Sequence, residues 1–164
     1  MDLETTIAKA KALRKEDELE QSLELLESLL AEYPDNPQVI FEVGGAFDVL
    51  GEEAEAIPHY KRAIEEGLEG DDLEECLICL GSCHRAIGEF QEAVDVLEAY
   101  LDRFPERRSG HPFLAIAYYS NRQYEDAVSL LLDTLLETTS DEGILSFAGP
   151  LEYFSGNLNE VWEN

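Results

Sequence analysis

Three cysteines and a histidine, Cys76-x-x-Cys79-x-x-x-Cys83-His84, form the densest cluster of metal-binding side chains in the chain. Thiolates and an imidazole at these offsets fall along one stripe of a helix, and zinc or an iron–sulfur cluster takes such ligands. Four ligands on one rigid helix cannot converge on a tetrahedral centre unless the helix unwinds. His59 and His111 have no partner identifiable by spacing. No phosphate loop, nucleophile elbow or His-Glu-x-x-His is present. Paired carboxylates such as Glu52-Glu53 and Glu65-Glu66 belong to turns and helix ends, whereas a general acid or base needs a desolvated carboxylate. The residues read as those of a non-enzyme without cofactor or bound metal. The alternative is a thiol-based metal or redox sensor built on Cys76, Cys79, Cys83 and His84.

The chain that must position these groups has 164 residues, with 37 Asp+Glu against 11 Lys+Arg and a formal net charge of −26. Its length suits one domain. Hydrophobic residues make up 45 %, too many for a disordered acidic tail, so the charge belongs on a folded surface. Such a charge repels phosphate backbones and anionic headgroups, which argues against nucleic acid and membrane surfaces as partners. The longest apolar stretch, Phe113 to Tyr119, is too short to span a bilayer. The start Met1-Asp2-Leu3-Glu4 lacks the basic and apolar segments of a secretion signal. Three cysteines cannot all pair within one chain, and together these features predict a cytoplasmic protein.

Internal repetition decides the architecture. Val43-Gly44-Gly45-Ala46-Phe47 through Ile57 aligns with Leu80-Gly81-Ser82-Cys83-His84 through Val94, matching at Gly44/Gly81, Gly51/Gly88, Glu52/Glu89 and Ala56/Ala93. A third copy runs from Leu114 to Val128, and a weaker one carries Ala10, Leu13, Leu19 and Ser22. The small residues Ser22, Ala56, Ala93 and Ala127 are 34, 37 and 34 apart, the longer interval absorbing the turn-rich Gly67-Leu68-Glu69-Gly70-Asp71-Asp72. Apolar periodicity predicts helices over 2–15, 19–32, 37–50, 54–67, 72–87, 90–103, 107–121, 124–138 and 141–155. Gly51 and Gly88 suit helix ends that need a positive φ, and Pro58 is expected near a first turn, where a missing N–H costs least. Cys83 falls where the other copies have Ala, Cys76 is likewise read as a small core position, and His84 takes the bulky position of Phe47 and Tyr118. These three therefore also read as core. Leu158, Val161 and Trp162, at i, i+3, i+4, are expected to fold back as a lid over the last repeat.

Gly-Glu-Phe-Gln-Glu-Ala at 88–93, Gln-Tyr-Glu-Asp-Ala at 123–127, and the prolines Pro34 and Pro105 resemble the tetratricopeptide repeat. The resemblance implies an all-α, right-handed solenoid of four helix-turn-helix repeats (about 3–36, 37–70, 74–107 and 108–141) with a capping segment over 142–164. It further implies a concave groove lined by the first helix of each repeat, where a partner peptide or helix binds. Carried onto this chain, the groove residues are Lys11, Arg14, Phe41, Ile78, Arg85, Phe113, Ile116, Tyr119 and Phe147. The Asn pair with which one subclass grips a C-terminal carboxylate is missing, and Glu42 stands in that region instead. The expected role is a protein-interaction adaptor whose partner is a protein or peptide, with a basic one favoured by the acidic surface. The terminal helix carries Ile144, Leu145, Phe147, Leu151, Tyr153 and Phe154, so a monomer or a weak homodimer through that helix is expected.

Overall fold

The computed structural model describes residues 2–162, and among them there are ten α-helices and no strand. They are α1 (Leu3–Lys15), α2 (Leu19–Glu32), α3 (Pro37–Val49), α4 (Glu53–Glu65), α5 (Gly70–Ala86), α6 (Phe90–Arg103), α7 (His111–Ser120), α8 (Tyr124–Thr138), α9 (Glu142–Leu145) and α10 (Ala148–Ser155). Consecutive helices pair as α1/α2, α3/α4, α5/α6 and α7/α8, and each second helix also packs on the first helix of the next pair. The first helices α1, α3, α5 and α7 lie side by side, so they form an inner layer and the second helices an outer one. This is the all-α solenoid that the repeat implies. None of these helices is long and apolar enough to cross a membrane.

Local chemistry starts and stops the helices where the sequence suggests. Asn36 caps α3, its side chain accepting from the amides of Gln38 and Val39, with Pro37 in the first helical turn. Gly51 and Gly88 take φ of 77° and 88° in the turns within the second and third pairs. At the same register in the first and fourth pairs stand Asp17 and Arg122, both at φ 65°.

The stack is held by apolar clusters that straddle the junctions between pairs. Leu26 and Leu29 of α2 meet Val39, Val43 and Ala46 of α3. Ile57 and Tyr60 of α4 meet Leu73, Cys76, Leu80 and Cys83 of α5. Val94 and Leu97 of α6 meet Leu114 and Ala117 of α7. A lone helix pair leaves these faces wet, so each pair is stable only against its neighbours. Within a pair, small residues permit close crossing: a Cβ on Gly81 would stand 2.5 Å from Leu97 Cγ.

The structure departs from the sequence reading at four places. Helix α7 begins at His111 rather than 107, which keeps Pro112 in the first turn. The 104–110 loop is instead held by buried Glu74, which accepts from Tyr100 Oη at 3.2 Å, Arg107 Nη1 at 3.1 Å and Ser109 Oγ. Pro58 is the sixth residue of α4, past the first turn, so the exposed Ala54 carbonyl loses its helical donor to solvent. The helix expected over 141–155 is broken into α9 and α10, because Pro150 has no N–H for the Ser146 carbonyl and its ring crowds that oxygen. Residues 156–162 form no helix, and they reach back to the last repeat without closing over it: Leu158 is half-buried and Asn159 Nδ2 donates to Glu125 of α8. Val161 and Trp162 are exposed, Trp162 stacks on Tyr153 with centroids 6.4 Å apart, and Asn157 Nδ2 donates to the Tyr153 carbonyl at 2.7 Å. That side-chain bond closes the end of α10 and turns the chain away from a new helix. Glu163 and Asn164, the end of the expected capping segment, lie outside the described residues.

Candidate functional site on the concave face

Two hollows open on the inner layer. The larger, about 330 Å³, is lined by Lys11, Arg14 and Lys15 of α1, Phe41, Glu42, Gly45 and Asp48 of α3, Tyr60 of α4, and Glu75 and Cys79 of α5. Glu42 is only 2 % exposed, and it is buried because two cations satisfy it. Lys11 Nζ donates to its Oε1 at 2.6 Å, and Arg14 Nη2 donates to its Oε2. A Cβ on Gly45 would meet Arg14 Nη1 at 2.6 Å, so the glycine makes room for the guanidinium.

The end of the groove that Lys11, Arg14 and Lys15 line is therefore less basic than its three cations suggest. Two of its three cations are consumed by Glu42, and Asp48 and Glu75 add negative charge opposite Lys15. Phe41 is not a protruding anchor: it is buried, its ring 5.9 Å from that of Tyr60, and it forms the floor of the hollow. Tyr60 Oη donates to Asp48 at 2.9 Å, and burial pushes its phenol well above the usual range.

The second hollow, about 120 Å³, brings together Arg85, Phe113 and Ile116 with Gly81, Ser82 and Leu97. Phe113 and Ile116 are exposed, and Arg85 makes no ion pair among the described residues. Ile78 lies apart from both hollows, in a depression with Glu75 where Arg107 pairs with Asp71 and Glu74. Tyr119 is exposed and packs edge-on against Tyr124 at 5.3 Å. Phe147, in the break between α9 and α10, is exposed and lines neither hollow. Of the nine groove residues, three thus form the second hollow and three line the first.

The cysteine cluster divides as the repeat register suggests. Cys76 and Cys83 are buried in the α4–α5 junction, and Cys76 Sγ donates to the Tyr60 carbonyl at 3.6 Å. Only Cys79 faces a hollow. Burial pushes the Cys76 thiol up to about 12 and the Cys79 thiol up to about 11, and it raises Cys83 as well. Thiols held so far above neutrality carry little thiolate, the nucleophilic form. Buried His84 reaches Glu89 through Nδ1 at 2.5 Å, and its Nε2 has no hydrogen-bond partner among the described residues. Among the described residues no three His, Cys, Asp or Glu side chains are arranged to hold a metal.

Three polar contacts were invisible to spacing. Glu42 lies 31 and 28 residues from Lys11 and Arg14, and Glu74 reaches forward 35 to Ser109. The repeat length of 34 was the available signal, since residues one repeat apart on first helices become neighbours. His59, stacked on Phe47 at 5.4 Å, and His111, 2.8 Å from Thr134 Oγ1, also find their partners only in the fold.

A stack of helix pairs with a lined inner face is the architecture of helical-repeat interaction scaffolds. The tetratrico peptide repeat family model matches residues 37–140, and a second tetratricopeptide repeat model matches residues 8–36. The chain belongs to the tetratricopeptide repeat family. Among solved structures it is similar to MamA AMB-1, with TM-score 0.71 and 23 % identity over 81 % of this chain and 77 % of that one. It is also similar to MamA 41-end from Desulfovibrio magneticus RS-1, with TM-score 0.72 and 15 % identity over 94 % and 85 %. At these identities the likeness concerns the fold. A comparison with curated proteins finds no match.

Proposed function

We propose that the protein is a non-catalytic interaction scaffold, its residues 1–164 acting as one unit whose concave face takes an extended or helical segment of a partner protein. The observation that carries this reading is the second hollow: a guanidinium without an ion-pair partner among the described residues, beside the exposed Phe113 and Ile116. An aromatic and an arginine on a shaped, partly dry surface are the composition of binding hot spots. Ile78 and Tyr119 extend the apolar track on either side, and the Lys11–Arg14–Phe41 hollow offers a second, polar subsite. A net charge of −26 favours a partner that is basic overall, disfavours nucleic acid and keeps the scaffold itself monomeric. A cytoplasmic setting accords with three free cysteines.

The test is affinity capture from native cytosol with wild type beside Phe113→Ala and Arg85→Glu, read by quantitative mass spectrometry, with circular dichroism as the check on folding. Both positions are off the core, so the variants are expected to keep full helicity while losing a wild-type partner by at least about tenfold. Retention of the same partner by both variants takes the binding site off this hollow.

A further inference from the structure

The junction positions repeat along the second helices at one, four and eight residues after the small residue: Leu23, Leu26 and Leu30; Ile57, Tyr60 and Ile64; Val94, Leu97 and Leu101; Val128, Leu131 and Leu135. In the first three pairs this stripe lies under the next first helix. Leu26, Tyr60 and Leu97 are 0 %, 1 % and 1 % exposed, and the flanking residues of each stripe pack in the same clusters. In α8 the same stripe is open, with Val128, Leu131 and Leu135 at 44 %, 46 % and 39 %.

Helix α10 does pack on α8, but on another face. Ser155 of α10 bonds to Ser129 and Asp133 of α8. The equivalent positions in the other second helices include Glu24, Ser28, Pro58, Asp95 and Ala99, all solvent-exposed. Leu132 stands on this outer face where the other helices carry Glu27, Lys61 and Glu98. Residues 139–162 thus wrap the outside of α8 and leave its stacking stripe uncovered.

We infer that this stripe is a second docking site, distinct from the concave face, for a basic amphipathic helix of a partner protein, which adds to the stack as one more first helix. The helix it fits is defined by those that fill the same place inside the molecule: Val39, Val43 and Ala46, or Cys76, Leu80 and Cys83, that is, apolar residues at i, i+4 and i+7 with a small third member. The charge follows from the surroundings. Residues 123–162 contain Glu125, Asp126, Asp133, Glu137, Asp141, Glu142, Glu152 and Glu160 and no Lys, Arg or His. Arg122 precedes them and Arg108 pairs with Glu137, but the balance stays strongly negative, so this end attracts a cationic helix and repels an anionic one. A second copy fits badly. Its α1 would bring Lys9 to the place of Val43, Leu80 and Leu114, and burying that ammonium against leucines is costly.

The test is fluorescence anisotropy at low salt with a labelled synthetic peptide of about 18 residues. It carries Val, Val and Ala at the spacing of Val39, Val43 and Ala46 and lysine on its other faces. A twin peptide has glutamate for every lysine. The lysine peptide is expected to bind wild type. Leu131→Asp and Val128→Asp are expected to weaken it by at least about tenfold, although each adds a negative charge that favours a cation. Phe113→Ala is expected to leave binding unchanged, and the glutamate peptide to show none. Both substituted residues are exposed, and circular dichroism verifies the fold. Equal binding to the Asp variants, loss on Phe113→Ala, or no binding to wild type overturns the proposal. Light scattering supplies one more outcome: a concentration-dependent dimer abolished by Leu131→Asp would give the stripe to a second copy and also overturn it.

Discussion

The two ends of the stack occupy the same register and present opposite surfaces. At the α1 end, the positions that face a preceding pair elsewhere are filled by Thr5, Lys9 and Ala12, all exposed. Their counterparts inside the stack are Val39, Val43 and Ala46, and the exchange of valine for lysine puts a solvated charge on that face. At the α8 end, Val128, Leu131 and Leu135 keep the apolar identities of the buried junctions and stay exposed. Terminal repeats of solenoids are made soluble by a polar outer face, and among the described residues such a face is present at the α1 end and lacking on the α8 stripe. The difference separates what stacking demands from what solubility demands, because the backbone geometry is common to both.

The strongest way to break this comparison is to make one substitution at two equivalent places. Leu97 and Leu131 each sit four residues beyond the small residue of their helix, but only Leu97 is covered, by Leu114 and Ala117. Leu97→Ala should lower unfolding free energy by ~2–5 kcal/mol through lost burial and the cavity left behind, whereas Leu131→Ala should change it by less than about 0.5 kcal/mol. Urea denaturation followed by circular dichroism measures both. Similar losses would mean that the α8 stripe is covered in solution.

A medium effect is expected at the α1 end, where the polar surface continues inward as the Lys11–Glu42–Arg14 cluster. Glu42 is buried between cations of which Lys11 is nearly half exposed. Removing its charge strands Arg14 more than Lys11. Glu42→Gln should cost ~1–3 kcal/mol, below the value for a fully buried pair because water reaches Lys11. The same urea titration reads it. A neutral or stabilising result would mean that desolvating these charges outweighs their attraction, and that the α1 end is held by its apolar contacts alone.

Most of the architecture was legible because stacking imposes residue types at fixed intervals: Gly81 under Leu97, the small residues at 34, 37 and 34, and the positive-φ glycines of the turns. The site was less legible. Phe41 and Phe113 both read as groove residues, yet Phe41 lies over Tyr60 as floor and Phe113 projects. They stand one register position apart, Phe41 level with Ile78 and Phe113 with Cys79, so they point about 100° apart around the helix. Lys11 and Arg14 read as free cations because their partner Glu42 lies one repeat away. The tail failed for a related reason. Leu158, Val161 and Trp162 have helical spacing, but Asn157 closes α10 through its side chain and the outer face of α8 is already taken by Ser155.

The smallest effect concerns the turns, where the two ends again use the same geometry with different residues. Asp17 and Arg122 both hold φ 65°, where the inner turns have Gly51 and Gly88. A left-handed backbone costs an L-residue roughly 1–2 kcal/mol, but aspartate visits it more readily than most because its short carboxylate bonds locally. Arginine has no such compensation. Arg122→Gly should therefore stabilise the array by ~0.5–1 kcal/mol, the relief being offset in part by the greater chain entropy of glycine in the unfolded state. Asp17→Gly should do less, and Gly88→Ala should destabilise by about 1 kcal/mol. Midpoints from thermal melts rank the three. If Asp17→Gly gains as much as Arg122→Gly, the aspartate side chain does not relieve its own turn, and the two ends differ only in the faces they present.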